Sequence, residues 1–326
     1  MDGQRTIVPR MSRNQSHSWR AHRTNPYIWS LLIAVGAVAF FWMAWWLTAP
    51  SPRFTANDKG LAPGDRQRGA LIFAAGQCAS CHATPGQPNR LLLGGGLALA
   101  SPFGTFRVPN ISSDAIDGIG SWSAEDFANA LISGVSPDRR HYYPAFPYPS
   151  YTAMRISDVQ DLFAYLRSLP AASGRQPPHD LPLLFRIRRV LGAWKLLFFR
   201  QGKSEVIRTG DPLRDRGGYL VETLAHCADC HSSRNFAGAI VPQTRFAGGP
   251  DPEGTGFVPN ITPAAIGDWS ENDLVRMLQT GETPNHGRVG SSMADVVTNL
   301  AQLDDTDRLA IARYIKSLPA RTANSP

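Results

Sequence analysis

The chain has 326 residues, a formal net charge of +7, and 43% hydrophobic and 10% aromatic residues. That composition is globular, allows two ordinary domains, and excludes a disordered or fibrous chain. The positive charge does not mark a nucleic-acid partner. Arg5, Arg10, Arg13, Arg20 and Arg23 stand against one acid, Asp2, before residue 27, and the remainder is only mildly basic.

The first element follows that arginine cluster. Tyr27 to Leu47 contains no charged residue, and its 21 positions match the roughly 20 that cross a bilayer as a helix. Tyr27 and Trp29 sit at one end and Trp42, Trp45 and Trp46 at the other, where amphipathic rings favour the water–lipid boundary. The sequence therefore predicts a cytoplasmic basic tail (1–26) and a single-pass anchor (27–48), with everything after Pro50 on the outer side of the membrane. A cleaved signal peptide is the alternative. The apolar run is long for one, and "LTAPSPRF" offers no small-x-small cleavage site.

Beyond the anchor the chain repeats itself. The same 149 positions separate Cys78 from Cys227, His82 from His231, and "YLRSLP" (165–170) from "YIKSLP" (314–319). "RVPNIS" (107–112) answers "FVPNIT" (257–262), and "SWSAEDFANALISG" (121–134) answers "DWSENDLVRMLQTG" (268–281). Two copies of one domain follow, at 62–171 and 209–320. In each, Ser123 or Ser270 precedes Asp126 or Asp273 by three positions, which predicts an N-capped helix ending at Gly134 or Gly281. The last helix of each copy carries Leu162, Tyr165, Leu166 and Leu169, or Ile311, Tyr314, Ile315 and Leu318, at helical spacing. A helix also leads into each cysteine pair, with Gly69 or Gly218 allowing another helix close. No strand periodicity stands out, so the expected fold class is all-α.

Residues 172–208 form the linker. Within it Leu184, Ile187, Leu191, Trp194 and Phe198 fall on one helical face, with Arg186, Arg188, Arg189, Lys195 and Arg200 elsewhere. This favours an amphipathic helix that packs across both domains; a helix lying on anionic lipid is the alternative.

All four cysteines lie in two copies of C-x-x-C-H: Cys78, Cys81, His82 and Cys227, Cys230, His231. A structural zinc site needs four ligands together, whereas these pairs sit in separate domains. A thioredoxin-like pair needs a βαβ setting. A disulfide between residues three apart makes a tight loop and has no use for the histidine. Covalent haem uses every feature, because two thiols add to one porphyrin edge and the adjacent histidine reaches the iron. Two covalently bound haem c groups are therefore expected, with His82 and His231 as proximal ligands. The carbonyls of Pro109 and Pro259 are candidates to orient the second ring nitrogens. For the distal position, thioether sulfur suits a low-spin electron-transfer haem. Met293, in the Gly/Ser-rich "GRVGSSMAD", is preferred over Met277, which lies on an apolar helical stripe. Met154, the only methionine of the first copy, is the choice there, with His141 or an open iron as alternatives.

With these residues in place, the chain resembles the membrane-associated multihaem c-type cytochrome subunits of periplasmic dehydrogenases, such as those serving bacterial alcohol and gluconate dehydrogenases. The carrying stretches are "GQCASCH", "FGTFRVPNIS", "SGVSPDRRHYYPAFPYPSYTAM", "GGYLVETLAHCADCHSSRN", "FVPNIT" and "VGSSMADVVTNLAQL". The resemblance covers nearly everything after residue 62. It implies two tandem class I cytochrome c-like domains that relay single electrons. The donor would be a periplasmic dehydrogenase subunit or a quinol-oxidising complex, and the acceptor a soluble cytochrome or terminal oxidase. Many such relatives carry three haems and a cleaved signal, whereas this chain has cysteines for two and keeps an anchor. The competing function is a dihaem redox enzyme of peroxidase or thiosulfate-oxidising type, which requires one open or unusually ligated iron. No acid–base cluster adjoins either motif, and an electron carrier is the favoured reading.

Overall fold

The computed structural model describes residues 25–55, 61–202, 209–252 and 256–322. The arginines from Arg5 to Arg23 lie outside the described residues. The chain divides into two units, 1–46 and 47–326.

Helix α1 (Pro26–Leu47) dominates the first unit. Its apolar side chains stay exposed all round, from Tyr27 and Leu31 to Trp46. With a mean hydropathy of 2.0 over its apolar window, it is the one helix among the described residues long and apolar enough to cross a membrane.

The second unit opens with α2 (Arg66–Ala75), whose first turn is closed by the Asp65 carboxylate accepting the amides of Gln67 and Arg68. Then follow α3 (Cys78–His82), the hairpin β1 (Ala98–Ser101) and β2 (Gly104–Arg107), α4 (Ala124–Ser133), α5 (Tyr148–Tyr151) and α6 (Ile156–Leu166). Two linker helices, α7 (Leu183–Arg186) and α8 (Val190–Phe198), lead to α9 (Pro212–Tyr219). The rest is β3 (Gly249–Pro250), β4 (Phe257–Val258), α10 (Pro263–Ile266), α11 (Glu271–Thr280), α12 (Ser292–Leu300) and α13 (Asp305–Lys316). Helices dominate, as the all-α expectation has it, and two short antiparallel ribbons, β1–β2 and β3–β4, accompany them. They are four and two residues long, too short to print an alternating pattern on the sequence.

The predicted caps form. Ser123 with Asp126, and Ser270 with Asp273, make reciprocal capping boxes, and Gly134 and Gly281 close the same helices in the left-handed region. Gly134 is needed twice over. Its φ is +59°, and a Cβ there would lie 2.6 Å from the buried Tyr148 ring.

Each half is built on a crossing of its first and last helices, α2 on α6 and α9 on α13. At Gly69 a Cβ would come within 2.0 Å of the Asp161 carbonyl oxygen; at Gly217 it would come within 1.9 Å of the Ala310 carbonyl oxygen. The second contact falls one residue earlier than the Gly218 expected from the 149-residue offset. The cause lies directly downstream. Leu220–Leu224 is a π-helical turn, closed by the Ala225 amide on the Leu220 carbonyl at 2.7 Å. It absorbs one residue between the helix crossing and the cysteine pair. Around these crossings Leu93, Ile132, Val159 and Leu166, and Leu220, Leu274, Leu300 and Ile311, are fully buried; each such side chain contributes about 1.5–3 kcal/mol of transfer free energy.

The linker is two helices rather than one, because the backbone turns at Ile187 (φ −77°, ψ 86°). Its α8 bridges both halves: Lys195 donates to the Ser133 and Gly134 carbonyls at 2.7 Å, and the Trp194 indole donates to the Ala237 carbonyl at 2.9 Å.

Candidate haem sites

Both cysteine pairs are introduced by a residue in the left-handed region, Gln77 (φ 56°) and His226 (φ 41°). That kink separates α2 from α3, and the π turn from the one-turn helix Cys227–Asp229. The first motif lies wholly within α3; in the second, Cys230 and His231 follow directly on the short helix, with the His231 amide donating to the Cys227 carbonyl at 2.9 Å. No disulfide joins the four cysteines, and burial pushes the thiols of Cys78 and Cys227 up to about 12.

The histidines are held alike. His82 Nδ1 lies 2.9 Å from the Pro109 carbonyl oxygen, and His231 Nδ1 lies 2.7 Å from that of Pro259. A carbonyl can only accept, so Nδ1 carries the proton and donates, and the Nε2 lone pair is left free for a metal. Burial pushes the His82 imidazole down to about 4 and lowers that of His231; both rings are neutral at physiological pH, as ligands must be.

The loop carrying each proline is clipped from two sides. The Gly95 amide donates to the His82 carbonyl, and Gly248 to that of His231, each at 2.9 Å. A Cβ on Gly95 would meet the Pro109 backbone at 2.5 Å, and one on Gly248 the Val258 carbonyl oxygen at 2.5 Å. Asn110 Oδ1 accepts the Ser112 amide while its Nδ2 donates to the Ala172 carbonyl. Asn260 does the same with Thr262 and Arg321. Sequence reasoning singled out the prolines of the repeated "VPNI" and passed over these asparagines, although the same repeat displays them.

The expected distal residues are placed as follows. Met154 is buried, follows α5, and belongs to the core against which Cys78 packs. Met293 is half-buried and is the second residue of α12, not part of a loop. Met277 is buried on α11. His141 is buried with its Nε2 3.0 Å from the Thr48 carbonyl oxygen. The donor set of each half, two thiols and one oriented imidazole beside a glycine-lined loop, fits a covalently attached haem. Among the described residues no group of three or more His, Cys, Asp or Glu side chains could hold a metal ion by itself.

The second half contains a buried ionic cluster that the sequence did not reveal. Glu222, within the π turn, accepts from Arg245 Nε at 3.0 Å and from the Tyr314 hydroxyl at 2.8 Å. In the first half the position 149 residues earlier is Phe73, stacked edge-on against Tyr165 with ring centroids 5.3 Å apart.

This geometry defines a c-type cytochrome, and comparison with known proteins agrees. Residues 67–170 match the Cytochrome c family model. The chain is 47% identical over 295 residues to a diheme cytochrome c-type protein of Cereibacter sphaeroides, covering 89% of this chain and 96% of that one. It is 38% identical to the fructose dehydrogenase cytochrome subunit of Gluconobacter japonicus and 34% identical to the gluconate 2-dehydrogenase cytochrome c subunit of Pantoea cypripedii. Those matches cover 78% and 79% of this chain but only 52% and 60% of the relatives, so the chain spans little more than half the length of such subunits. The chain belongs to the dihaem c-type cytochromes. It carries two covalently bound haem c groups and serves electron transfer rather than catalysis.

Proposed function

We propose that this chain is a membrane-anchored periplasmic relay that takes single electrons from a dehydrogenase subunit or a quinol-oxidising complex. It would hand them to a soluble cytochrome or terminal oxidase. The observation that carries this reading is the paired bond from His82 to Pro109 and from His231 to Pro259, which prepares one iron-ready nitrogen in each half. When bound, each haem supplies a one-electron iron couple whose potential its axial ligands and burial set.

In this reading, residues 62–171 and 209–320 are tandem class I cytochrome c-like domains. Cys78 and Cys81 hold one porphyrin and Cys227 and Cys230 the other. His82 with Met154, and His231 with Met293, supply the axial pairs. Met154 is favoured over His141 because a thioether suits a low-spin electron-transfer haem and because Met154 belongs to the core against which Cys78 packs. The Tyr27–Leu47 helix anchors the chain with its N-terminus in the cytoplasm. The relatives named as dehydrogenase cytochrome subunits support a dehydrogenase as donor.

Spectroscopy of the oxidised holoprotein tests the ligand assignment. Met154→Ala and Met293→Ala should each convert one of two low-spin haems and leave the other unchanged. An unaltered spectrum in either variant removes that methionine from the account.

A further inference from the structure

The linker turns one face to the protein and the other to solvent. On α8, Trp194 and Lys195 face the two halves, while Val190, Ala193, Leu196 and Leu197 form an exposed stripe, with Leu197 74% exposed. At roughly 100° per residue these four occupy about a third of the helix circumference. Leu183 (78% exposed) and Leu184 of α7 are exposed apolar residues of the same linker, and Phe236 (95% exposed) is next in chain to the Ala237 that receives the Trp194 indole. A surface of this kind marks a partner rather than open water.

What covers it follows from the chain path. Thr48 comes directly after α1 ends at Leu47, so covalent continuity fixes Thr48 where that helix would leave a bilayer. Thr48 is also locked to the linker and the first half. Arg189 Nε donates to its hydroxyl at 3.2 Å, and His141 Nε2 lies 3.0 Å from its carbonyl. Gly192 of α8 packs so tightly on it that a Cβ would lie 2.3 Å from the Thr48 carbonyl oxygen. The next residues are tied down too, because the Arg53 and Phe54 amides both donate to Asn129 Oδ1. From Leu181 to Gly202 there is no acid, and Arg186 and Arg200 keep their charge at the exposed surface, the sign that an anionic lipid surface favours.

We infer that α7 and α8 lie in the lipid–water interface and give the haem-bearing unit its own contact with the membrane. This rests on the reading of Tyr27–Leu47 as a membrane span and adds a second, monotopic contact to it. The earlier alternatives for the linker then both hold, on opposite faces of one helix. Docking would fix which surfaces of the two halves face the membrane and which remain open to a soluble acceptor.

The haem cysteines are consumed in thioether bonds, so a single introduced cysteine can be labelled in the full-length holoprotein. An environment-sensitive fluorophore is placed at Leu197→Cys, at Val38→Cys within α1, and at the exposed Gln302→Cys of the second half. Each variant is measured in nanodiscs containing anionic lipid, with and without spin-labelled lipid. Probes at 38 and 197 should be blue-shifted and quenched by the spin-labelled lipid, and the probe at 302 should be neither. Quenching at 38 with a water-exposed probe at 197 overturns the docking and leaves the anchor standing. No quenching at 38 overturns the anchor itself. A shielded probe at 197 that spin-labelled lipid does not quench means that protein covers this face, and also overturns the proposal. Leu196→Asp with Leu197→Asp should release the linker while both haem spectra stay intact.

Discussion

Gln77 and His226, the left-handed residues that precede the two cysteine pairs, cross between the halves and hold each other's backbone. Gln77 Nε2 donates to the Ala225 carbonyl at 3.3 Å, and the His226 ring bonds to the Gly76 backbone. Ala225 and Gly76 are themselves equivalent, so the exchange has local two-fold character. The Tyr151 hydroxyl adds a further bond to the Gly76 carbonyl at 3.1 Å, and its ring meets His226 edge-on. The two haem motifs are thereby joined back to back in one rigid seam. Replacing His226 with Ala should cost about 1–3 kcal/mol of holoprotein stability, the range for a buried polar group stripped of its partner. Chemical denaturation of the single and double Gln77→Ala/His226→Ala variants would reveal it as non-additive losses; strictly additive, near-zero losses would mean that the halves are independent.

The helix crossings make a sharper prediction. Gly69→Ala and Gly217→Ala each place a methyl within 2.0 Å of a backbone carbonyl oxygen. Neither clash can relax by moving a side chain, so both should exceed the ~1–3 kcal/mol of ordinary overpacking. Thermal unfolding of the holoprotein measures this. A mild effect at 217 would show that the π turn does not set the register described here.

That register illustrates what the sequence could and could not tell. The capping boxes, the C-x-x-C-H motifs and the repeated "VPNI" are local chemistry, and each was legible from residue type and spacing. The π turn was hidden because one extra residue leaves every motif recognisable while shifting the glycine face. Glu222 was hidden for a related reason, since its partners Arg245 and Tyr314 come from distant segments. Met293 was expected in a loop because Gly290, Ser291 and Ser292 suggest one, yet Ser292 already starts α12. The linker pattern was visible, but the turn at Ile187 depends on tertiary contacts that Arg188 and Arg189 make with His141 and Thr48.

Glu222 provides the third test. Its carboxylate is buried between Arg245 and Tyr314, so Glu222→Ala removes the carboxylate partner of a guanidinium whose side chain is only 18% exposed. Losing one partner of a buried pair costs about 3–5 kcal/mol. Glu222→Leu together with Arg245→Leu should recover most of that loss. Denaturant titration of the three variants decides the matter, and equal stability of the single and double variants would contradict it.

His179 sets a pH dependence. Burial pushes its imidazole down to about 4, against an ordinary 6.5, and its Nδ1 accepts the Arg107 amide at 3.0 Å. The unfolded chain therefore binds a proton that the folded chain refuses between pH 6.5 and about 4. Stability contributed by the neutral ring is fully present above that window and is lost as pH falls through it. His179→Asn keeps an acceptor without titrating, and should flatten part of the stability loss between pH 6.5 and 4. An unchanged slope would show that His179 is not responsible.

The Asn110 and Asn260 clips hold the proline carbonyls that fix His82 and His231. Asn110→Ala should loosen one such bond, make that imidazole a poorer electron donor, and raise one haem potential while the other stays constant. A spectroelectrochemical titration resolves the two, and a shift in both would mean that the clip acts on the whole fold.

A relay of this kind needs closed, six-coordinate irons in both halves, and carbon monoxide added to the dithionite-reduced full-length holoprotein tests that most directly. Unchanged spectra at both haems are predicted; rapid carbon monoxide binding at either would expose an open iron and contradict the relay.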